Sequence, residues 1–340
     1  MAPVLVAIDA RDGFGEELRG WGRYARCLVD ALRSDPPDDL QLDVLESGGA
    51  GPEVLFEQLK LPLTLRRSRA ALIHSTNCFL PLARPCPGVV TVNDLAFEVW
   101  PRDFAPVTLV KYRVLARLAA RSAQRVICPS SYTAVDVCSC WGVRRERVRV
   151  IPDAAALPLG NAEPPPGPYL LAVGDLRAKK NLGALVRAFV SLRRSDGIPH
   201  RLVLAGLDTG AGPTLRELAG GEPVQLTGYI DDARLDALLR GAELFVHPSL
   251  HEGFGLVVLE AMVRGTPVLA ANATSLPEAG GQAAAYFEPG DPDGLTNALR
   301  ALLSDASARE RLASDGLARA AEFSWERTAR ETLAVYRELI

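Results

Sequence analysis

The feature that most restricts this chain is an alternation that runs along nearly all of it. Short apolar runs of four or five residues are each followed by a segment of helical periodicity. Val4–Ile8, Ala71–His74, Val89–Val92, Arg125–Cys128 and Val148–Ile151 read as strands, and residues 21–32 and 109–123 as helices. Such alternation predicts βαβ units and parallel sheets, hence an α/β protein. The pattern stops at residues 157–168, where four prolines follow Asn161 and neither a helix nor a central strand can continue. A second series then begins, with strands expected at Tyr169–Val173, Arg201–Ala205, Pro223–Leu226, Leu244–His247 and Pro267–Ala270. The expectation is two domains, residues 1–160 and 168–324, joined by a proline-rich linker. Ligands of open α/β sheets bind beyond the carboxyl ends of the strands, so a cleft between the domains is expected to hold the site.

Composition restricts the function classes. At 340 residues and 48% hydrophobic content, the chain has material for two cores. Its net charge is −3, which demands no nucleic-acid partner. The charge is uneven, however: residues 61–150 carry 14 basic against 5 acidic side chains. No apolar run is long enough to span a bilayer. The first apolar stretch is short, lacks a basic leader and stops at Asp9, so no secretory signal is expected. Cys27, Cys78, Cys86, Cys128, Cys138 and Cys140 show neither disulfide-framework nor zinc spacing, and read as reduced thiols of a cytoplasmic protein. No His, Cys or carboxylate cluster points to a metal.

The densest chemistry lies in His247-Pro-Ser-Leu-His-Glu-Gly-Phe-Gly-Leu-Val-Val-Leu-Glu260. A strand is expected to end near His247. Gly253 and Gly255 allow a tight turn and close approach to a ligand. A helix is expected from Leu256, its free N–H groups offering an anion site fit for a pyrophosphate. Glu252 precedes that helix and Glu260 lies slightly more than one turn inside it. Either carboxylate can accept two hydrogen bonds from a vicinal diol. Earlier, Gly174-Asp-Leu-Arg177-Ala-Lys179-Lys180-Asn181 places cations in a strand-to-helix turn, where they can neutralise a diphosphate leaving group.

These residues resemble the retaining glycosyltransferases of family 4, through the pattern Glu, seven residues, Glu within Glu-Gly-Phe-Gly. The resemblance implies the GT-B fold, two Rossmann-like domains facing across a cleft, with the C-terminal segment, about 325–340, crossing back to the first. It implies that Glu260 binds the nucleotide ribose, that Glu252 contacts the donor sugar, and that Gly253, Phe254, Gly255 and Leu256 form the sugar- and phosphate-binding loop. Lys179 and Lys180 stand in the places of the family's Arg and Lys. Many relatives carry Arg directly after the glycine at 174; here that residue is Asp175, and Arg177 is expected to supply the charge instead. Gly20-Trp-Gly22-Arg-Tyr resembles the glycine loop that closes over the donor phosphates; neither it nor Gly13-Phe-Gly15 has the third glycine of a dinucleotide fingerprint. Asn93-Asp94 stands where relatives read His-Asp. Asn can donate and accept hydrogen bonds but cannot titrate, and Asp94 equally suits a turn or cap.

The implied reaction transfers a hexose, with retention, from a nucleotide diphosphate sugar to a glycan, lipid-linked or small-molecule acceptor. No cofactor or metal is implied. GDP-mannose is the first choice of donor, with UDP-glucose and deoxythymidine-linked sugars open. A nucleotide-sugar epimerase and a degenerate nucleotide-sugar-binding protein are the alternatives. Arg113, Arg117, Arg121 and Arg125 recur every four residues, which on one helix makes a basic stripe. It is either a solvated face or a peripheral contact with an anionic membrane at its inner face.

Overall fold

Among the described residues twelve strands pair only in parallel, in two sheets of six. The computed structural model describes residues 3–15, 18–48 and 52–340. Glu16 and Glu17, which follow the Gly13–Gly15 turn, lie outside them. The chain divides into two compact units, Met1–Ala156 with Phe323–Ile340, and Leu157–Glu322.

In the first unit the strands are β1 (Val4–Asp9), β2 (Leu40–Leu45), β3 (Leu72–Ser75), β4 (Gly88–Thr91), β5 (Arg125–Cys128) and β6 (Val148–Val150). Their order across the sheet is β2-β1-β3-β4-β5-β6. β3, β4 and most of β1 and β5 are buried on both faces, as parallel strands covered by helices must be. Alternate residues supply two cores. Ala7, Ile73, Val90 and Val126 face Leu61, Leu65, Phe97 and Trp141; Val6, Ile8, Leu72, Val89 and Ile127 face Tyr24, Leu28, Leu333 and Tyr336. The second core joins helix α1 (Gly20–Ser34) to the C-terminal helix Trp325–Arg337, which Ser324 caps by accepting the Arg327 N–H. His74 anchors that helix from within: its Nδ1 lies 2.7 Å from the Tyr336 hydroxyl and its Nε2 2.9 Å from Thr91 Oγ1, while the Tyr24 hydroxyl reaches Thr91 at 3.0 Å.

Two further helices of this unit are each interrupted by a π turn. Helix α2 runs Glu53–Leu55, Phe56–Lys60 (π) and Leu61–Ser68; helix α3 runs Pro106–Lys111, Tyr112–Ala116 (π) and Arg117–Ser122. The expected arginine stripe is not one exposed row. Arg113 turns to Glu98 (3.1 Å), and Arg125 lies in β5, bound to Glu338 at 2.7 Å. Only Arg117 and Arg121 of the four remain exposed.

In the second unit, β7 (Tyr169–Val173), β8 (Arg201–Ala205), β9 (Val224–Leu226), β10 (Leu244–His247), β11 (Val268–Ala271) and β12 (Ala285–Phe287) are arranged β12-β11-β10-β7-β8-β9. The order reverses between β7 and β10, which pair through Leu170–Leu244 and Leu171–Phe245. This is the doubly wound arrangement whose ligand crevice lies at the reversal. The proline-rich run is not a free linker. It is strapped to this unit: Arg264 donates to the Leu157 and Pro158 carbonyls and Arg240 to that of Ala162. Both arginines also bind the buried Asp236 carboxylate, each at 2.8 Å.

Candidate active site

The sheet reversal in the second unit positions two loops. After β7 the chain turns at Gly174 (φ 140°) and runs through a short 3-10 turn, Ala178–Lys180, to Asn181 in the left-handed region (φ 52°). Helix α4 (Leu182–Ser195) follows. Any side chain at 174 would meet Lys180 Cε at 2.9 Å, so the glycine makes room for that lysine. After β10, residues 248–255 lead to helix α5 (Leu256–Met262) through Gly255 (φ 111°), again a glycine conformation. The loops are joined by backbone: Leu250 N–H donates to the Lys179 carbonyl at 2.8 Å.

Glu252 is the centre of this junction. Its Oε1 accepts from Lys180 Nζ at 2.6 Å and from His247 Nε2 at 3.1 Å. Its N–H donates to Thr274 Oγ1 (3.1 Å) and its carbonyl accepts from Ser275 Oγ (2.8 Å), both in the loop after β11. Burial pushes the Glu252 carboxyl up, but Lys180, the His247 hydrogen bond and Lys179 outweigh it and hold it well below the usual carboxylate range. Burial pushes His247 down, against the pull of Glu252, and the two lysines push it down further. The histidine is thus neutral and donates through Nε2–H to a charged carboxylate.

The sequence-predicted residues divide between the units. Gly174, Lys179, Lys180, Glu252, Gly253, Phe254, Gly255 and Leu256 come together around the junction. Phe254 is buried and Gly253 underlies the turn. Glu260 lies inside α5, 2% exposed, its carbonyl accepting from Arg264. Arg177 pairs with Asp175 at 3.6 Å, so the cation expected to replace the missing arginine is held by the residue that displaced it. His247 and Thr274 were not singled out by the sequence. A histidine five residues before Glu252 was a usable signal for the first; nothing in the sequence marks Thr274.

Asn93, Asp94, Gly20 and Gly22 belong to the first unit. Asn93 follows β4, is 8% exposed, and its Nδ2 has no hydrogen-bond partner among the described residues. Asp94 Oδ1 accepts the Ala96 N–H at 2.9 Å, the turn role. Gly20 and Gly22 stand in the first turn of α1, not in a loop ahead of it. A Cβ at Gly22 would lie 2.5 Å from the Asp12 carbonyl, so this glycine lets the Arg11–Phe14 turn pack on the helix.

The sequence model for "Glycosyl transferases group 1" matches residues 167–305, the unit that carries this junction, and that for "Glycosyltransferase Family 4" matches residues 28–155. The chain is 33% identical over 300 residues to the MMP alpha-(1->4)-mannosyltransferase of Mycolicibacterium hassiacum, covering 81% of this chain and 72% of the relative. The chain belongs to the family 4 glycosyltransferases. The O-antigen chain mannosyltransferase B of Escherichia coli is 29% identical to this glycosyltransferase over 292 residues, 81% and 76% of the two chains. Among solved structures, sucrose-phosphate synthase of Thermosynechococcus elongatus superposes with TM-score 0.75 at 23% identity, covering 99% of both chains. Anabaena HepE in complex with UDP-glucose superposes with TM-score 0.73 at 19% identity, covering 98% and 100%. The glycosyltransferase therefore has the GT-B fold, and no helix among its described residues is long and apolar enough to cross a membrane.

Proposed function

We propose that this enzyme transfers mannose from GDP-mannose, with retention, to a glycan, lipid-linked or small-molecule acceptor, and that the donor lies at the Glu252 junction. The observation that carries the placement is the ion pair of Lys180 with a Glu252 braced from the loops after β7 and β11 and from the end of β10 at the sheet reversal. The two named mannosyltransferases support the choice of sugar. Lys180 has three N–H donors, of which Glu252 takes one. The others and Lys179 are offered to the diphosphate, whose growing charge they stabilise as it departs. Glu252 accepts hydrogen bonds from the sugar hydroxyls. Glu260 accepts both hydroxyls of the ribose. In the first unit, Asn93 offers its amide N–H to a substrate hydroxyl.

The bond from the anomeric carbon to the diphosphate breaks, with its electrons going to the phosphate oxygen. The acceptor hydroxyl attacks from the same face and its proton passes to the departing diphosphate. No enzyme nucleophile and no metal are needed in this scheme.

Thermal stabilisation by a panel of GDP-, UDP-, ADP- and deoxythymidine-diphosphate sugars tests the reading. A ligand at about a hundred times its Kd stabilises by about 2.7 kcal/mol. GDP-mannose is expected to shift Tm in the parent, with the shift cut sharply in Glu260→Ala and Lys180→Ala. A shift by UDP-glucose alone would replace the donor. No shift by any nucleotide would sink the site assignment.

A further inference from the structure

The exposed apolar side chains of this enzyme are not scattered. Helix α2 presents Val54, Leu55, Leu59 and Leu63 to solvent, and α3 presents Val107, Val110, Val114 and Leu118, with Val107 84% exposed. These eight are more than half of the large hydrophobics exposed among the described residues. The spacing puts each set on one face of its helix. In an α-helix a four-residue repeat creeps around the axis; the wider π turns at Phe56–Lys60 and Tyr112–Ala116 take up that creep and keep each row straight. The two helices are pinned together where Lys111 binds Glu53 at 2.8 Å and the buried Glu57 at 3.5 Å. The result is one apolar face on the first unit, of the kind that marks an interaction site.

Charge identifies what covers it. On α2 the exposed cations are Lys60, Arg66 and Arg67, with Arg69 directly after its last residue, and on α3 Arg117 and Arg121. The exposed acid of these helices is Glu53, already paired with Lys111. Aliphatic rows ending in cations are the chemistry of a surface that sinks into an anionic bilayer while its basic residues meet the headgroups.

We infer that α2 and α3 form a docking face for an anionic lipid bilayer, on which the enzyme lies peripherally. The test is sedimentation of the full-length enzyme with vesicles of equimolar phosphatidylglycerol and phosphatidylcholine, and with phosphatidylcholine alone. Binding is expected to the anionic vesicles and to fall with added salt. The triple variant Arg66→Gln, Arg67→Gln, Arg117→Gln should weaken it about fivefold per cation removed. Val107→Ser with Val110→Ser should weaken it at least about tenfold, since each buried valine contributes comparably; these side chains are exposed, so circular dichroism and Tm should not change. No binding by the folded parent overturns the proposal, and equal binding to both vesicles overturns its electrostatic half. A concentration-dependent dimer that the valine variants abolish would assign the face to a second copy instead.

Discussion

Thr274 has a φ of 51°, which brings a β-branched side chain against its own backbone and costs about 1–3 kcal/mol. Its hydroxyl accepts the Glu252 N–H, so the strained residue fixes the backbone of the loop that carries this glutamate. Asp153, in the first unit, is a second residue held at a cost. It is 4% exposed, its Oδ1 has no hydrogen-bond partner among the described residues, and burial alone pushes its carboxyl up to about 7. An unfolded aspartate titrates near ~3.9. Between those values the native state keeps a proton the unfolded state has released, so stability falls as pH rises towards 7. His74 works in the other direction. Burial lowers it from 6.5 to about 3, so the unfolded state takes up a proton the native state refuses, and stability falls as pH drops below ~6.5. Asp153→Asn should therefore gain on the order of 1–3 kcal/mol near pH ~8 and progressively less towards pH ~5. Urea midpoints across that range check it; an unchanged pH slope would show that Asp153 is not the group responsible.

At the scale of elements, the proline-rich segment shows what local reading catches and misses. Four prolines made the break in regular structure plain. They carried no sign that Asp236, Arg240 and Arg264, far along the chain, would hold that segment against the second unit. Burial opposes the charge on Asp236, but Arg240, a Gly160 backbone N–H and Arg264 together hold its carboxyl below the ordinary range. Losing one member leaves buried charge uncompensated: Asp236→Asn should cost about 3–5 kcal/mol in denaturant unfolding. Adding Arg264→Met should cost less than the two single changes together. Additive losses would mean that the three side chains do not act as one group. The same reasoning explains the two strands that periodicity missed. β2 alternates Leu-Gln-Leu-Asp on a sheet edge and β12 has three residues, so neither shows the continuous apolar run of a buried central strand. The site loops were legible because glycines and paired charges cluster there in sequence. The brace on Glu252 was only half legible: a histidine five residues before it was a signal, but Thr274 reads as an ordinary turn residue.

At the scale of the whole molecule, the first unit is built from both ends of the described chain. Tyr24, Leu28 and Ile8 are covered in part by Leu333, Val335 and Tyr336. Removing residues 323–340 should leave that core open, with dye-detectable apolar surface and a lower first unfolding transition; a truncated chain that melts like the parent would contradict the packing described here. This arrangement also sets an order of events during synthesis. All of Leu157–Glu322 is synthesised before the helix that closes the first unit. The first unit, although begun earlier, therefore waits for its last piece until the whole of the second has been synthesised, and a chain stalled at that point carries an open apolar face for a chaperone to cover.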